Sequence, residues 1–239
     1  MKTFIILPAR LESSRLPKKL IQNIGDQALI EHMITTAKKI KDAQIVVSTD
    51  SKIIQKYSDK HSVKCIISNK NFKNGTERCH YTAEKMNASK KDIIINLQAD
   101  EFNINPNEIR KLIRLLKLSP EVKVATLFYE TSDKSEYSNK DYVKVIVDKE
   151  LKAITFTRKP ITSIGAKYLI HLGVYGFTFD SLKQYSMLKE CHYEKEESLE
   201  QLRMIWNNVP IHCVQVKNNQ SFGINSARDL KRAREYYDN

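Results

Sequence analysis

The chain has 239 residues, 41% hydrophobic and 28% charged, enough apolar material for a sizeable core and a globular balance of charge. Its start lacks the charged-then-apolar pattern of a signal peptide, and no apolar run approaches the ~18 residues of a membrane span. The four cysteines, Cys65, Cys79, Cys191 and Cys213, form no C-x-x-C pair and no Cys/His cluster with zinc spacing, so a disulfide framework and a structural zinc are not expected. The expectation is a soluble cytoplasmic protein without a membrane partner, made of one domain or one domain with a small inserted lobe.

A formal charge of +12 calls for a polyanionic partner, which could be nucleic acid or a small acidic substrate. Lys38, Lys39, Lys41, Lys90, Lys91 and Lys231 are scattered along the chain, and no aromatic RNA-binding signature interleaves them, so nucleic acid is not the expected partner.

In chain order, Thr3 to Leu7 reads as a buried strand that ends at Pro8, and Arg10, Arg15, Lys18 and Lys19 follow closely. Leu29, Met33, Ala37 and Ile40 have the spacing of one helical face. A strand over 44–50, a polar helix over 51–60 and a strand over 63–67 come next. Asn74-Gly75 is a turn dipeptide leading into a helix over 77–86. The most apolar strand, 92–97, runs into Gln98-Ala-Asp-Glu101, which puts two carboxylates at its carboxyl end. Asn105-Pro106 reads as an N-cap and first-turn proline for a helix that stops before Pro120. Strands alternating with helices predict a parallel sheet covered on both faces.

Beyond residue 120 the pattern changes: strands over 122–128, 143–147, 152–156 and 168–177 succeed one another, predicting a second region on a mixed or antiparallel sheet. A helix over 197–206 with Leu199, Leu202, Ile205 and Trp206 on one side, a strand over 211–216, and a closing helix begun by Ser226 and Asp229, with Leu230, Ala233 and Tyr237 as apolar positions, complete the chain.

With six glycines the chain has neither a P-loop nor a dinucleotide-binding G-x-G-x-x-G, and it lacks H-E-x-x-H and G-x-S-x-G. Phosphate must then be held by side chains and loop amides. Arg10, Arg15, Lys19 and Arg78 leave strand ends in two loops, where open α/β sheets place their ligands. Asp100 or Glu101 could hold Mg²⁺, a hard ion that prefers oxygen, or could begin a turn or pair with a lysine. A magnesium-held triphosphate without a P-loop points to nucleotidyl transfer.

These residues resemble the 3-deoxy-manno-octulosonate (Kdo) cytidylyltransferases nearly from end to end. Residues 8–19 are similar to the family's P-A-R-x-x-S-x-R-L-P-x-K loop, Gly75-Thr-Glu-Arg78 to its G-T-[DE]-R, and Gln98-Ala-Asp-Glu101 to its Q-G-D-E-P. Residues 142–147 resemble its V-V-K-V-V strand, 156–161 its S-R-x-P-I-P, 171–175 its H-I-G-I-Y, and 197–203 its E-x-L-E-Q-L-R.

The resemblance implies an α/β, nucleotide-diphospho-sugar-transferase-like (Rossmann-like) fold with a mostly parallel sheet and a smaller inserted mixed or antiparallel region. It places the nucleotide core in 1–120 and 207–239, and sugar binding and dimerisation in 121–206. It implies that CTP and an acidic sugar react to a CMP-sugar and pyrophosphate, with Kdo the first acceptor considered. By matching position Lys19, Arg10 and Asp100 would be catalytic, while Arg10, Ser14, Arg15, Lys19, Arg78 and Gln98 would hold the nucleotide. Arg158, His171, Tyr175, Glu200 and Gln201 would line the sugar pocket, and Asp100 would hold Mg²⁺. By the residues alone, His171 and Tyr175 read equally as strand core, and Glu200 and Gln201 as an exposed helix face.

Three departures stand out: Ala99 and Phe102 replace the family's Gly and Pro, Thr162 replaces a proline, and Gly223-Ile-Asn-Ser-Ala-Arg-Asp-Leu230 replaces G-V-D-T-P-E-D-L. Asn225 therefore stands where the family has a metal-binding Asp; it keeps a carbonyl oxygen, loses a charge, and could instead cap the helix. The alternatives are transfer to another acidic acceptor, such as an amino-substituted octulosonate or a phosphonate, or a non-catalytic nucleotide- or nucleic-acid-binding relative.

Overall fold

The opening apolar run becomes β1 (Thr3–Ala9), whose side chains divide between two cores because successive strand residues face opposite sides. Ile5, Leu7 and Ala9 join one apolar cluster, and Phe4 and Ile6 the other. Burial on both faces is why this strand reads as a continuous hydrophobic run. The computed structural model describes residues 1–13, 15–161, 167–217 and 219–238. Ser14 and Thr162 lie outside them.

After a 3-10 turn (Lys19–Ile21) come β2 (Asn23–Ile24), β3 (Gln27–Ala28), α1 (Leu29–Lys38), β4 (Gln44–Thr49), α2 (Lys52–Lys60) and β5 (Lys64–Ile67). α3 (Gly75–Lys85) starts two residues earlier than its spacing suggests, because Asn74 Oδ1 accepts the Glu77 N–H (2.9 Å) and caps it. β6 (Ile93–Leu97), β7 (Glu101–Phe102) and α4 (Pro106–Leu118) follow, α4 being capped by Asn105 with proline in its first turn. The later part holds β8 (Val124–Thr131), α5 (Lys134–Ser138), β9 (Lys144–Val147), β10 (Ala153–Thr157), β11 (Tyr168–Thr178), α6 (Phe179–Met187), α7 (His192–Glu197), α8 (Leu202–Trp206), β12 (His212–Val216), β13 (Phe222–Gly223) and α9 (Ala227–Asp238).

Among the described residues nine strands form one sheet, ordered β10-β9-β11-β6-β1-β4-β5, with β8 and β12 branching from β11. β6, β1, β4 and β5 run parallel, as β8 and β12 do, while β11 runs antiparallel to β6, β8 and β9. The fold is α/β with a mostly parallel central sheet. The antiparallel strands expected to build a second region instead extend the first sheet, through β11. That strand pairs β9 at Ile170, shifts register between Leu172 and Tyr175, and pairs β6 from Val174 to Thr178. The bulge is where it changes neighbours.

The helix expected over 197–206 is broken. α7 ends at Glu197, Ser198 takes a left-handed φ of 53°, and α8 begins only at Leu202. Glu200 and Gln201 thus lie in the break, where Gln201 is buried, rather than on an exposed helix face. Trp206, expected on the apolar side, is 61% exposed, and Tyr237 is exposed with its hydroxyl donating to Asp26 (2.7 Å). Ser226 and Asp229 cap α9 reciprocally: the Ser226 N–H reaches Asp229 Oδ2 (2.9 Å) and the Asp229 N–H reaches Ser226 Oγ (3.3 Å). Asn225 precedes this box and is not the cap.

Candidate active site

The carboxyl ends of β1, β4 and β6 open on one side, and two adjoining cavities lie there. The smaller, about 240 Å³, is lined by Arg10, Arg15, Lys19, Arg78, Gln98 and Asp100 together with the N-terminus of α3 at Asn74 and Gly75. Arg78 is buried, 3.7 Å from Asp50 and stacked 4.7 Å from the Phe72 ring, yet its Nη1 has no hydrogen-bond partner among the described residues. Burial lowers its pKa, and Asp50 opposes that shift. Lys19 Nζ donates to the Asp100 carboxylate and to the Ile224 carbonyl (3.1 Å). A helix N-terminus beside such cations, one with a spare buried N–H, is built for a polyanion.

The larger cavity, about 530 Å³, shares Arg15, Gln98 and Asp100 with the smaller one and adds Arg158, His171, Tyr175, Glu200, Gln201 and Asn225. Every described residue nominated from the sequence therefore lines one cavity or both. A hydrogen-bonded chain joins the two: Gln98 Nε2 donates to Asn96 Oδ1 (3.1 Å), Asn96 Nδ2 to Thr76 Oγ1 (3.0 Å), and Thr76 Oγ1 to Glu200 Oε1 (2.8 Å). Gly75 makes room for it, since a Cβ there would fall 2.7 Å from Gln98 Nε2. Burial raises the Glu200 pKa, and its bonds to Thr76 pull the other way.

His171 is partly buried at the cavity wall, and burial depresses its pKa to about 3, with the Arg158 charge adding to the effect. Thr126 Oγ1 donates to the Val174 carbonyl (2.8 Å) and so accepts from His171 Nε2 (2.9 Å), which leaves Nδ1 as an acceptor. The Tyr175 hydroxyl is buried without a partner among the described residues. Arg158 is fixed through its Nε to the Glu197 carbonyl (3.1 Å) and its Nη1 to the Lys140 carbonyl (3.0 Å). Burial, then the charge of Arg15, lowers its pKa, so the cavity mouth carries two cations that work against each other.

Asn225 Oδ1 accepts from Arg15 Nη2 (2.8 Å), while Arg15 Nη1 reaches Asp141 (2.8 Å). Phe102, in place of the family's proline, is buried against Phe222 and His32, and pairs Phe222 across β7 and β13; its N–H donates to the Asp100 carbonyl (3.0 Å), a bond proline cannot make. The departure anchors the loop.

Lys144 and Arg203 were not nominated from the sequence, and Glu101 was considered there only as a Mg²⁺ ligand, a turn residue or a lysine's partner. Burial, then the neighbouring Asp100, pushes the Glu101 carboxyl up to about 7. Lys144 donates to the carbonyls of Asn139 (2.8 Å) and Arg158 (3.1 Å) from a buried position. Arg203 forms a two-pronged pair with Glu194 (2.7 and 2.6 Å) and lies 3.5 Å from Glu77. Lys144 and Arg203 lie inside the motifs quoted above, and charged residues flanked by apolar ones were their available signal.

A basic cavity at the strand ends of an α/β sheet, joined to an acceptor-sized one, defines a nucleotidyltransferase class of site. A family model described as cytidylyltransferase matches residues 4–212. A 3-deoxy-manno-octulosonate cytidylyltransferase from Polynucleobacter asymbioticus is 31% identical, the match covering 98% of this chain and 95% of that protein. One from Coxiella burnetii is 30% identical over 99% of this chain and 100% of its own length. Among solved structures, a CMP:2-keto-3-deoxy-manno-octonic acid synthetase complexed with CTP superposes with a TM-score of 0.90 at 32% identity, covering 99% and 98% of the two chains. A Leptospira borgpetersenii cytidylyltransferase, 18% identical with a TM-score of 0.66 over 98% and 85%, shares the fold. The chain belongs to the cytidylyltransferase family, among the 3-deoxy-manno-octulosonate cytidylyltransferases.

Proposed function

We propose that the protein transfers the cytidylyl group of CTP to the anomeric hydroxyl of Kdo. The hydroxyl oxygen bonds to the α-phosphorus, the bond to the β-phosphate breaks, pyrophosphate leaves, and the hydroxyl proton is released. The observation that carries this reading is the shared wall: Arg15, Gln98 and Asp100 face both a cavity with Arg10, Lys19 and Arg78 and a cavity with Arg158. In this reading Arg10, Lys19 and Arg78 neutralise the triphosphate, Gln98 positions the nucleotide, and Arg158 counters the sugar carboxylate. His171 Nδ1, Tyr175, Glu200 and Gln201 hold sugar hydroxyls.

The donor set at the wall fits Mg²⁺. Asp100 brings a carboxylate and Asn225 an amide oxygen, and the two are tied together by the Ile224 N–H donating to the Asp100 carbonyl (2.9 Å). No group of three His, Cys, Asp or Glu able to hold a metal occurs among the described residues, so the ion would take its other ligands from phosphates and water. Bound there, Mg²⁺ would offset charge building on the phosphates. The expected context is a cytoplasmic homodimer supplying CMP-Kdo for lipopolysaccharide or another surface polysaccharide.

Pyrophosphate release from CTP and Mg²⁺ tests the reading, with Kdo and a panel of acidic sugars as acceptors. Release with Kdo and none without acceptor is expected. Release with another acid alone would reassign the acceptor, and none with any would favour a non-catalytic basic binding protein.

A further inference from the structure

We infer that Glu101 is an acceptor-binding residue whose inner carboxylate oxygen takes a hydrogen bond from a hydroxyl of the polyhydroxylated acid; this rests on the function proposed above. Glu101 is 6% exposed and lines the larger cavity. One of its oxygens is already held: Oε2 accepts the Gly173 N–H at 3.1 Å. That N–H is available because β11 shifts register between Leu172 and Tyr175. Glycine is also what lets the carboxylate approach, since a Cβ at 173 would fall 3.1 Å from Oε2.

A single oxygen suffices to pin β7 to β11. The other, Oε1, is buried and has no partner among the described residues. A buried carboxylate oxygen without a donor, on a residue that lines a cavity, is an unmet demand that a ligand hydroxyl answers. The rest of the wall has the same polarity: the Glu200 carboxylate and His171 Nδ1 are also acceptors, and Arg158 is the cation placed for an acid group. A wall that sets these acceptors among the cations Arg15, Lys73, Arg158 and Lys195 is complementary to a polyol carrying a carboxylate, and Glu101 extends its acceptor part beside Asp100.

The test is Glu101→Gln, which keeps the shape and leaves a carbonyl for the Gly173 N–H while turning an NH₂ toward the cavity. Against wild type, KM for the acceptor should rise by about tenfold to a hundredfold, the worth of a hydrogen bond to a charged group. KM for CTP and the Mg²⁺ concentration for half-maximal rate should stay as in wild type, which also shows that the variant is folded. Calorimetric binding of Kdo in the presence of a non-reacting CTP analogue reads the same contact without turnover. With deoxy analogues of Kdo, the penalty of the substitution should vanish for the hydroxyl that Glu101 holds. Wild type that binds no acidic sugar would overturn the proposed function and this inference with it. Wild type that binds Kdo with Glu101→Gln binding it equally, or a variant altered only in Mg²⁺ requirement, would overturn the inference alone.

Discussion

Lys19 shows how much one side chain can carry: it bridges the Asp100 carboxylate and the Ile224 carbonyl at the wall between the cavities. Lys19→Ala should lower kcat/KM for CTP by about a hundredfold or more, the usual effect of removing one preorganised donor at developing charge. His171 offers a test by pH. Its pKa in the folded chain, about 3, lies below the ordinary histidine value, so the unfolded chain binds the extra proton first. Its contribution to stability is complete above pH ~6.5 and is lost as pH falls toward 3, at up to about 1.4 kcal/mol per pH unit. Denaturant unfolding of His171→Asn between pH 6 and pH 4 should therefore show a shallower loss of stability than wild type. The nominated charges were legible because each sits in a short motif, most of them after a strand. The tautomer of His171 was not, since it depends on Thr126, which is remote in sequence and is oriented by the Val174 carbonyl.

Elements place these residues by contacts that local patterns do not encode. The break between α7 and α8 carries Glu200 and Gln201 inward, and Arg203 holds the break by pairing Glu194 of α7 and approaching Glu77 of α3. Arg203→Met should leave the buried Glu194 carboxylate without its cation, costing about 3–5 kcal/mol and lowering the melting temperature by roughly 10 °C in calorimetry. Apolar spacing alone suggested one continuous helix here, because Leu199 and Leu202 are three apart; both are buried, but Leu199 lies within the break and Leu202 opens α8. A left-handed serine and a buried ion pair override that spacing. The loop between β13 and α9 is a second case. Asn225 offers its oxygen to Arg15, so Asn225→Asp should tighten that contact and lower the Mg²⁺ concentration needed for half-maximal activity; an unchanged requirement would remove Asn225 from the metal's surroundings.

For the whole molecule the decisive feature is one sheet. β11 hydrogen-bonds β6 from Val174 to Thr178, so the early parallel strands and the later antiparallel ones belong to one sheet, and thermal unfolding should be a single transition by calorimetry. CTP with Mg²⁺ at a hundred times its Kd should stabilise the protein by about 2.7 kcal/mol if it binds only the folded state. The class of fold and the family were legible in the sequence, because strand and helix periods and short motifs are local properties of the chain. The position of β11 was not, because strand runs do not say which strands pair. What the sequence determined by itself was the order of elements and the residue types gathered at strand ends. Tertiary structure alone decided that two cavities share a wall at Asp100, that Glu200 and Gln201 turn inward, and that Glu101 is buried with an oxygen unmet. Each depends on pairings and burial between segments far apart in sequence, which the free energy of the whole fold selects.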